Sequence, residues 1–213
     1  MPNILSQPIY FIISLFILFF SIILHEVAHG WTAEKLGDPT ARLAGRITLN
    51  PIPHIDLLGT IVLPLMLILL GSNFLIGWAK PVPVNFYRLR HQRRDTILVS
   101  LSGIVTNLSL AVLASLLWRL FHVFNVGGIL LYQILYFMVS LNLLLAFFNL
   151  IPLPPLDGSK VLGALFPSAL GRMIYDPQVN LLGTFVLFAL LGTGVLWRIL
   201  DPLLSFFLNL FLF

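Results

Sequence analysis

Residues 12–30 read Ile12-Ile13-Ser14-Leu15-Phe16-Ile17-Leu18-Phe19-Phe20-Ser21-Ile22-Ile23-Leu24-His25-Glu26-Val27-Ala28-His29-Gly30, and the two histidines near the end of this apolar run decide how the chain must fold. The run from about Pro8 to Gly30 is long enough to cross the roughly 30 Å hydrocarbon core of a bilayer as one helix. On that helix His25 and His29 lie one turn apart on one face, where two imidazoles grip a single metal. Catalytic zinc takes three protein ligands and keeps its remaining position for water. Glu26, beside His25, is within reach of that position and can take the water's proton as it attacks a peptide carbonyl. Ionisable groups at the edge of a membrane span are costly and by default functional. The rest of the fold has to carry a third ligand to the end of this helix.

Composition agrees with a bilayer setting. Of 213 residues, 59% are hydrophobic and only 9% charged, and the mean hydropathy is +1.00, too little polar surface for a soluble globule. The net charge of +4 falls in short basic clusters between apolar stretches, which argues for cytoplasmic loops and against nucleic acid as a partner. With no cysteine in the chain, disulfides, thiolate metal sites and cysteine nucleophiles are excluded, and any metal binds through His, Asp or Glu.

Hydropathy places crossings at about Pro8–Gly30, Thr96–Trp118, Phe124–Ile151 and Gln178–Trp197, with Leu57–Gly77 and Leu203–Phe213 ambiguous. The expected fold is an all-α polytopic membrane protein, a helical bundle of about four to six transmembrane segments with a re-entrant, partly extended loop. A single integral-membrane domain is expected over 1–213, with a catalytic core at about 9–160 and C-terminal membrane helices at about 178–213. No signal-peptide cleavage pattern is visible, so the first hydrophobic segment is expected to be retained. Lys35, Arg42 and Arg46 follow the first span, Arg88, Arg90, Arg93 and Arg94 precede the second, and Lys160 and Arg172 follow the third. These loops are expected in the cytoplasm, and the bare Met1–Gln7 outside.

Glu34, Asp38, His54, Asp56 and Asp157 are candidates for the third ligand. Asp157 stands out because Asn149-Leu150-Ile151-Pro152-Leu153-Pro154-Pro155-Leu156-Asp157-Gly158 ends a long apolar span in a proline-broken backbone. Irregular backbone at that depth is tolerated where it is buried in protein or lines a polar cavity. The competing reading is an ordinary helix exit with Asp157 capping the next helix.

His25-Glu26-x-x-His29 together with Asn149-x-x-Pro152-x-x-x-x-Asp157-Gly158 resembles the site-2 protease family of intramembrane zinc metalloproteases, over about Ile9 to Lys160. The resemblance implies one zinc ion per chain held by His25, His29 and Asp157, Glu26 as general base, and transmembrane segments of other proteins as substrates. Asn50–Asp56, Gly77–Asn85 and Ser102–Asn107 are similar to short members without an attached domain, and no PDZ-like or CBS-like module is seen.

Topology adds a constraint independent of the resemblance. His29 and Asp157 both close their spans, so a shared metal requires those spans to run parallel, with the Thr96–Trp118 span as the return crossing. Leu57–Gly77 then cannot add a lone crossing. From Leu57 to Leu70 a helix would rise only about 21 Å, less than the core thickness, so the segment should go in and come back. Its return arm, Phe74–Val84, should be extended because Gly77, Pro81 and Pro83 interrupt it, and its free backbone groups suit pairing with an unwound substrate strand. Packing alone is the other role for this loop, with Trp78 and Lys80 marking an interface.

His54 is a candidate for an oxyanion, gating or ligand-orienting contact, or a structural partner of Asp56. Asn149 is a candidate to donate to a developing oxyanion, whereas Asn142 suits interhelical hydrogen bonding. Gly103 and Asn107 suit close helix packing, and the basic run Arg88–Arg94 suits orientation in the membrane rather than binding of anionic lipid headgroups. Phe206, Phe207, Phe211 and Phe213 read as lipid-facing or packing bulk. Two other functions fit the composition, an ion-binding transporter and a catalytically silent membrane scaffold. The absence of a second matching half disfavours the first, and an intact Glu26 the second.

The parallel-span constraint is testable with single cysteines at Lys35, Arg90, Asn125 and Arg172, each probed with an impermeant thiol reagent on intact cells. Only position 125 labels from outside. Outside labelling at Arg90 would make Leu57–Gly77 a true crossing and separate His29 from Asp157.

Overall fold

The structure, a computed structural model, describes residues 8–71, 77–166 and 176–213; Met1–Gln7, the start of the return arm and Arg172 lie outside the described residues. The chain forms α1 (Pro8–Lys35), α2 (Thr40–Leu43), a π-helical turn (Leu57–Val62) running into α3 (Leu63–Leu69), α4 (Gln92–Val123), α5 (Ile129–Leu150), α6 (Asp157–Leu165), α7 (Pro177–Gly192) and α8 (Val195–Leu212). Among the described residues there is no strand, and α1, α4, α5 and α8 are long and apolar enough to cross a membrane. The all-helical, polytopic architecture is as expected.

α4 is the centre of the bundle and packs against α1, α5, α6 and α8. Thr96, Ser100, Gly103, Asn107, Ala111 and Ala114 recur at helical spacing along its buried face. Small residues let backbones approach closely, which matters in lipid because apolar burial does not drive helix against helix there. Ala111 and Ala114 meet Val139 and Leu143 of α5 and Leu212 of α8 in the largest apolar cluster. Phe207 and Phe211 pack against that cluster, while Phe206 and Phe213 are exposed, so the C-terminal phenylalanines divide between the two expected roles. Asn142 of α5 is fully buried and donates through Nδ2 to Ser21 Oγ of α1 at 3.1 Å, the interhelical bond anticipated for it.

Each end of α4 carries an arginine that closes another helix. Arg93 donates to the carbonyls of Ala164 and Leu165, at the end of α6. Arg119 donates to Leu210 and Phe211, and Ser115 Oγ to Phe211, at the end of α8. The last carbonyls of a helix have no partner within it, and these side chains supply one. The second clamp also places the end of α8 beside the end of α4, so the two helices run parallel.

The C-terminal boundaries differ from expectation. The span expected at Gln178–Trp197 is interrupted: α7 stops at Gly192, Thr193 and Gly194 donate back to Ala189 and Leu191, and Gly194 takes φ +75°, the left-handed conformation that ends helices. Hydropathy averages across glycines and does not see such a stop. The fourth long helix is instead Val195–Leu212, of which the sequence reading recognised only the second half as an apolar stretch. Asp201-Pro202 lowers hydropathy there, yet Pro202 sits inside the helix.

The chain after the Leu57 segment comes back to where that segment began. Asp56 caps its first turn by accepting from Gly59 N–H at 2.7 Å, and Gly71, at φ +67°, follows its end. On return, Trp78 N–H donates to Gly59 and Lys80 N–H to His54, so the arm meets the place where the segment began. From Gly77 to Asn85 the chain is non-helical.

A cysteine replacing exposed Phe213 should label from the same side as one at Asn125 and opposite to one at Arg90. Labelling that matches Arg90 would remove α8 as a crossing.

Candidate metal centre

The proline-broken turn after α5 carries Asp157 back to α1. Gly158 makes this possible: a Cβ there would stand 2.1 Å from the Leu150 carbonyl oxygen, so a larger residue would push the turn off the end of α5. Asp157 opens α6 but makes no side-chain cap to it, which removes the competing reading of an ordinary helix cap. Its Oδ2 lies 3.1 Å from His25 Nε2 and 3.0 Å from His29 Nε2, and the two nitrogens are 3.0 Å apart. All three side chains are buried.

This triangle suits a metal better than a hydrogen-bond cluster. His29 Nδ1 faces the Val99 carbonyl at 2.7 Å. A carbonyl only accepts, so Nδ1 carries the proton, and as a metal ligand the ring would present the Nε2 lone pair to its neighbours. Lys160 Nζ donates to Asp157 Oδ1 at 2.9 Å, which leaves Oδ2 as the oxygen facing the imidazoles. Tetrahedral bonds of roughly 2.0–2.1 Å separate ligand atoms by about 3.3 Å, close to the edges observed. An ionised Asp157 offers no proton to either ring, so with both imidazoles as bare-nitrogen ligands the three atoms face one another as they would around a cation. The donor set, two imidazoles and a carboxylate, is that of catalytic zinc.

Gly103 of α4 completes the cradle. A Cβ on it would lie 2.6 Å from His25 Nε2 and 2.6 Å from His29 Nε2, so any side chain here would occupy the space between the ligands. Sequence reading assigned Gly103 to close helix packing, and the structure sharpens this: the helix packs on the imidazoles themselves. Val99, which orients His29, and Lys160, which orients Asp157, were not singled out for these roles. The spacing of Val99 to His29 offers no motif, although Val99 lies one turn before Gly103 and could have been sought on that face, whereas Lys160 lies three residues after Asp157, a helical spacing open to sequence reading.

The other candidates for the third ligand are engaged elsewhere. Glu34 forms a two-pronged ion pair with Arg42, at 2.7 and 2.8 Å. Buried Asp38 accepts from Thr40 and, at 2.6 Å, from Asn85 N–H. Asp56 caps the Leu57 segment. His54 is fully buried and its Nε2 meets the Thr48 carbonyl at 2.9 Å; it makes no pair with Asp56 and shares no hydrogen bond with the three ligands among the described residues. Asn149 donates through Nδ2 to Leu145 of its own helix. Asn107, one turn beyond Gly103, is fully buried with neither amide atom partnered among the described residues. Glu26 Oε2 accepts from Val82 N–H at 2.7 Å.

The model of peptidase family M50 matches residues 12–193. YwhC of Bacillus subtilis and Rip2 of Mycobacterium tuberculosis, each named "Putative zinc metalloprotease", are similar to the chain. YwhC is 38% identical over 97% of the chain and 93% of its own length, and Rip2 35% identical over 67% of the chain and 52% of its own length, so the chain spans about half of Rip2. Zinc metalloprotease MJ0392 of Methanocaldococcus jannaschii is 23% identical over 80% of the chain and 39% of its own length. No solved structure gives a significant match.

Gly103→Ala should displace the imidazoles and cut the metal content of the purified protein to well below one per chain. Gly128→Ala, at a site open to space, should leave it unchanged. Full metal occupancy in Gly103→Ala would contradict the cradle.

Proposed function

The chain belongs to peptidase family M50, the site-2 protease family, and on that premise we propose that it hydrolyses peptide bonds in or near the transmembrane segments of other membrane proteins. The observation that carries the reading is the convergence of His25, His29 and Asp157 within 3.1 Å of one another, with Glu26 next to the first ligand. The protein is a helical membrane zinc metalloprotease. The transporter and silent-scaffold alternatives are not favoured by its family.

His25, His29 and Asp157 would hold the zinc ion, which when bound would supply Lewis acidity toward a peptide carbonyl and lower the pKa of water. Val99 keeps the His29 tautomer that leaves Nε2 free, and Lys160 holds the Asp157 carboxylate. Glu26 accepts the proton of the attacking water on Oε1, the oxygen not engaged by Val82, and delivers it to the leaving amine. Asn149 and His54 remain candidates for contacts to the developing oxyanion or to bound substrate.

A transmembrane helix hides its peptide bonds in its own hydrogen bonds, so cleavage needs a locally extended strand. The returning arm supports such a strand. Trp78, Lys80 and Val82 use their N–H groups inward, whereas the backbone groups of Ala79, Pro81 and Pro83 have no hydrogen-bond partner among the described residues. Alternate residues of an extended chain point to opposite sides, so this second edge is free to pair with an incoming strand. Lys35, Arg42, Arg46, Arg88, Arg90, Arg93, Arg94 and Lys160 lie in the helix ends, short helices and loops at the metal-centre end, and this charge favours a cytoplasmic-side active site.

Glu26→Gln should retain one zinc per chain and lose roughly 10²–10⁴-fold in cleavage of a model transmembrane peptide, because an amide cannot accept the water's proton. Asp157→Asn should lose zinc on dialysis, as followed by mass spectrometry. Full turnover in the first variant, or unchanged zinc in the second, would overturn the assigned roles.

A further inference from the structure

We propose that the backbone N–H of Val82 is the group that aims the Glu26 carboxylate, so that the extended segment, and not α1 alone, sets the position of the base. The inference rests on the reading of Glu26 as general base and adds a positioning partner to it. Val82 N–H donates to Glu26 Oε2 at 2.7 Å, and this is the carboxylate's one hydrogen bond among the described residues. Glu26 also has no salt-bridge partner there. Without Val82 no hydrogen bond among the described residues would hold its side chain.

The contact is built on both sides. Gly30 lies one turn after Glu26 on the same face of α1. A Cβ on Gly30 would stand 2.8 Å from Val82 Cγ1, so the glycine lets the segment lie directly on the helix beside the carboxylate. Pro81 and Pro83 flank Val82 and have no N–H, which leaves one backbone donor in residues 81–83. Proline also fixes its own φ, stiffening the chain on either side of that donor.

The segment is itself pinned at both ends. Trp78 N–H donates to Gly59 at 3.2 Å and Lys80 N–H to His54 at 2.9 Å. Thr60 Oγ1 donates to the Trp78 carbonyl and buried Arg46 Nη2 to the Lys80 carbonyl at 2.6 Å. Beyond Val82, Asn85 N–H donates to Asp38 at 2.6 Å. Donors to a charged acceptor are the stronger hydrogen bonds, and a base placed within hydrogen-bond reach depends on such orientation. The free edge of the same segment is the one proposed to receive substrate. Docking there and aiming the base would therefore be properties of one piece of backbone.

The test deletes a single N–H. Val82→α-hydroxyisovalerate replaces the amide with an ester and keeps the side chain; Val82→Pro deletes the same donor by ordinary mutagenesis. Purified full-length protein is assayed for zinc content and for kcat and KM on a fluorogenic single-span transmembrane peptide in micelles. Both variants should keep one zinc per chain and a KM close to that of the unaltered protein, and lose roughly ten- to hundred-fold in kcat. The ester at Val84, whose N–H has no partner among the described residues, should turn over normally. A Val82 ester with unaltered kcat and full zinc would overturn the proposal, as would an equal loss in the Val84 ester or a defect confined to zinc or KM. If Glu26→Gln is inactive while the Val82 ester is not, only this inference falls. If Glu26→Gln is fully active, the base assignment falls with it.

Discussion

One carboxylate has to meet two imidazoles inside an apolar bundle, and most of the architecture follows from that meeting. An ionised group moved out of water into protein interior costs several kcal/mol unless charge and hydrogen bonds compensate it. Asp157 is buried; Lys160 compensates it at 2.9 Å, and a cation shared with His25 and His29 would supply the rest. Because the ligands sit near the ends of α1 and at the exit of α5, those helices must run parallel. α4 is the return crossing between them, and the Leu57 segment must leave the chain on the side from which it started. Gly103 on α4 and Gly158 after α5 then follow as steric necessities, since a methyl at either would collide with the centre or with the turn that delivers Asp157.

The same constraint explains why the extended segment is built from residues that look unsuited to a membrane. Pro81 and Pro83 leave few donors to satisfy, and those of Trp78, Lys80 and Val82 reach partners within the protein. Irregular backbone is tolerable at such depth when it is paired or lines a cavity. The segment thus ties three parts together: the Leu57 hairpin through Gly59 and His54, α1 through Glu26, and the buried Asp38 beyond the end of α1. A rigid support around a reactive carboxylate is the arrangement catalysis by a positioned base requires.

Much of this was legible in the residues. Two histidines four apart announce one helical face, and a proline-broken acid after a later span announces an irregular turn with a reason to face inward. The parallel relation of the two spans was also deducible, because it depends only on which end of each span carries a ligand. What escaped were contacts between segments distant in sequence. Val99 and Val82 act through a carbonyl and an N–H whose partners lie far along the chain, and no periodicity encodes them; Lys160, by contrast, lies three residues from Asp157 on one helix, a spacing that could have been read. The α7–α8 boundary escaped for a different reason: Gly192-Thr193-Gly194 is not polar enough to break a hydropathy window, yet Gly194 adopts the left-handed conformation that stops a helix. Asp201-Pro202 erred the other way, lowering hydropathy within a helix that continues through it.

The claim on which everything else depends is that one zinc ion is shared by two imidazoles of α1 and the carboxylate of Asp157. X-ray absorption at the zinc edge of the purified protein reads that shell directly. The three-ligand centre predicts two imidazole ring-scattering contributions and oxygen neighbours at roughly 2.0–2.2 Å, with one zinc per chain. A shell with a single imidazole, or purified protein that takes up no zinc, would contradict it.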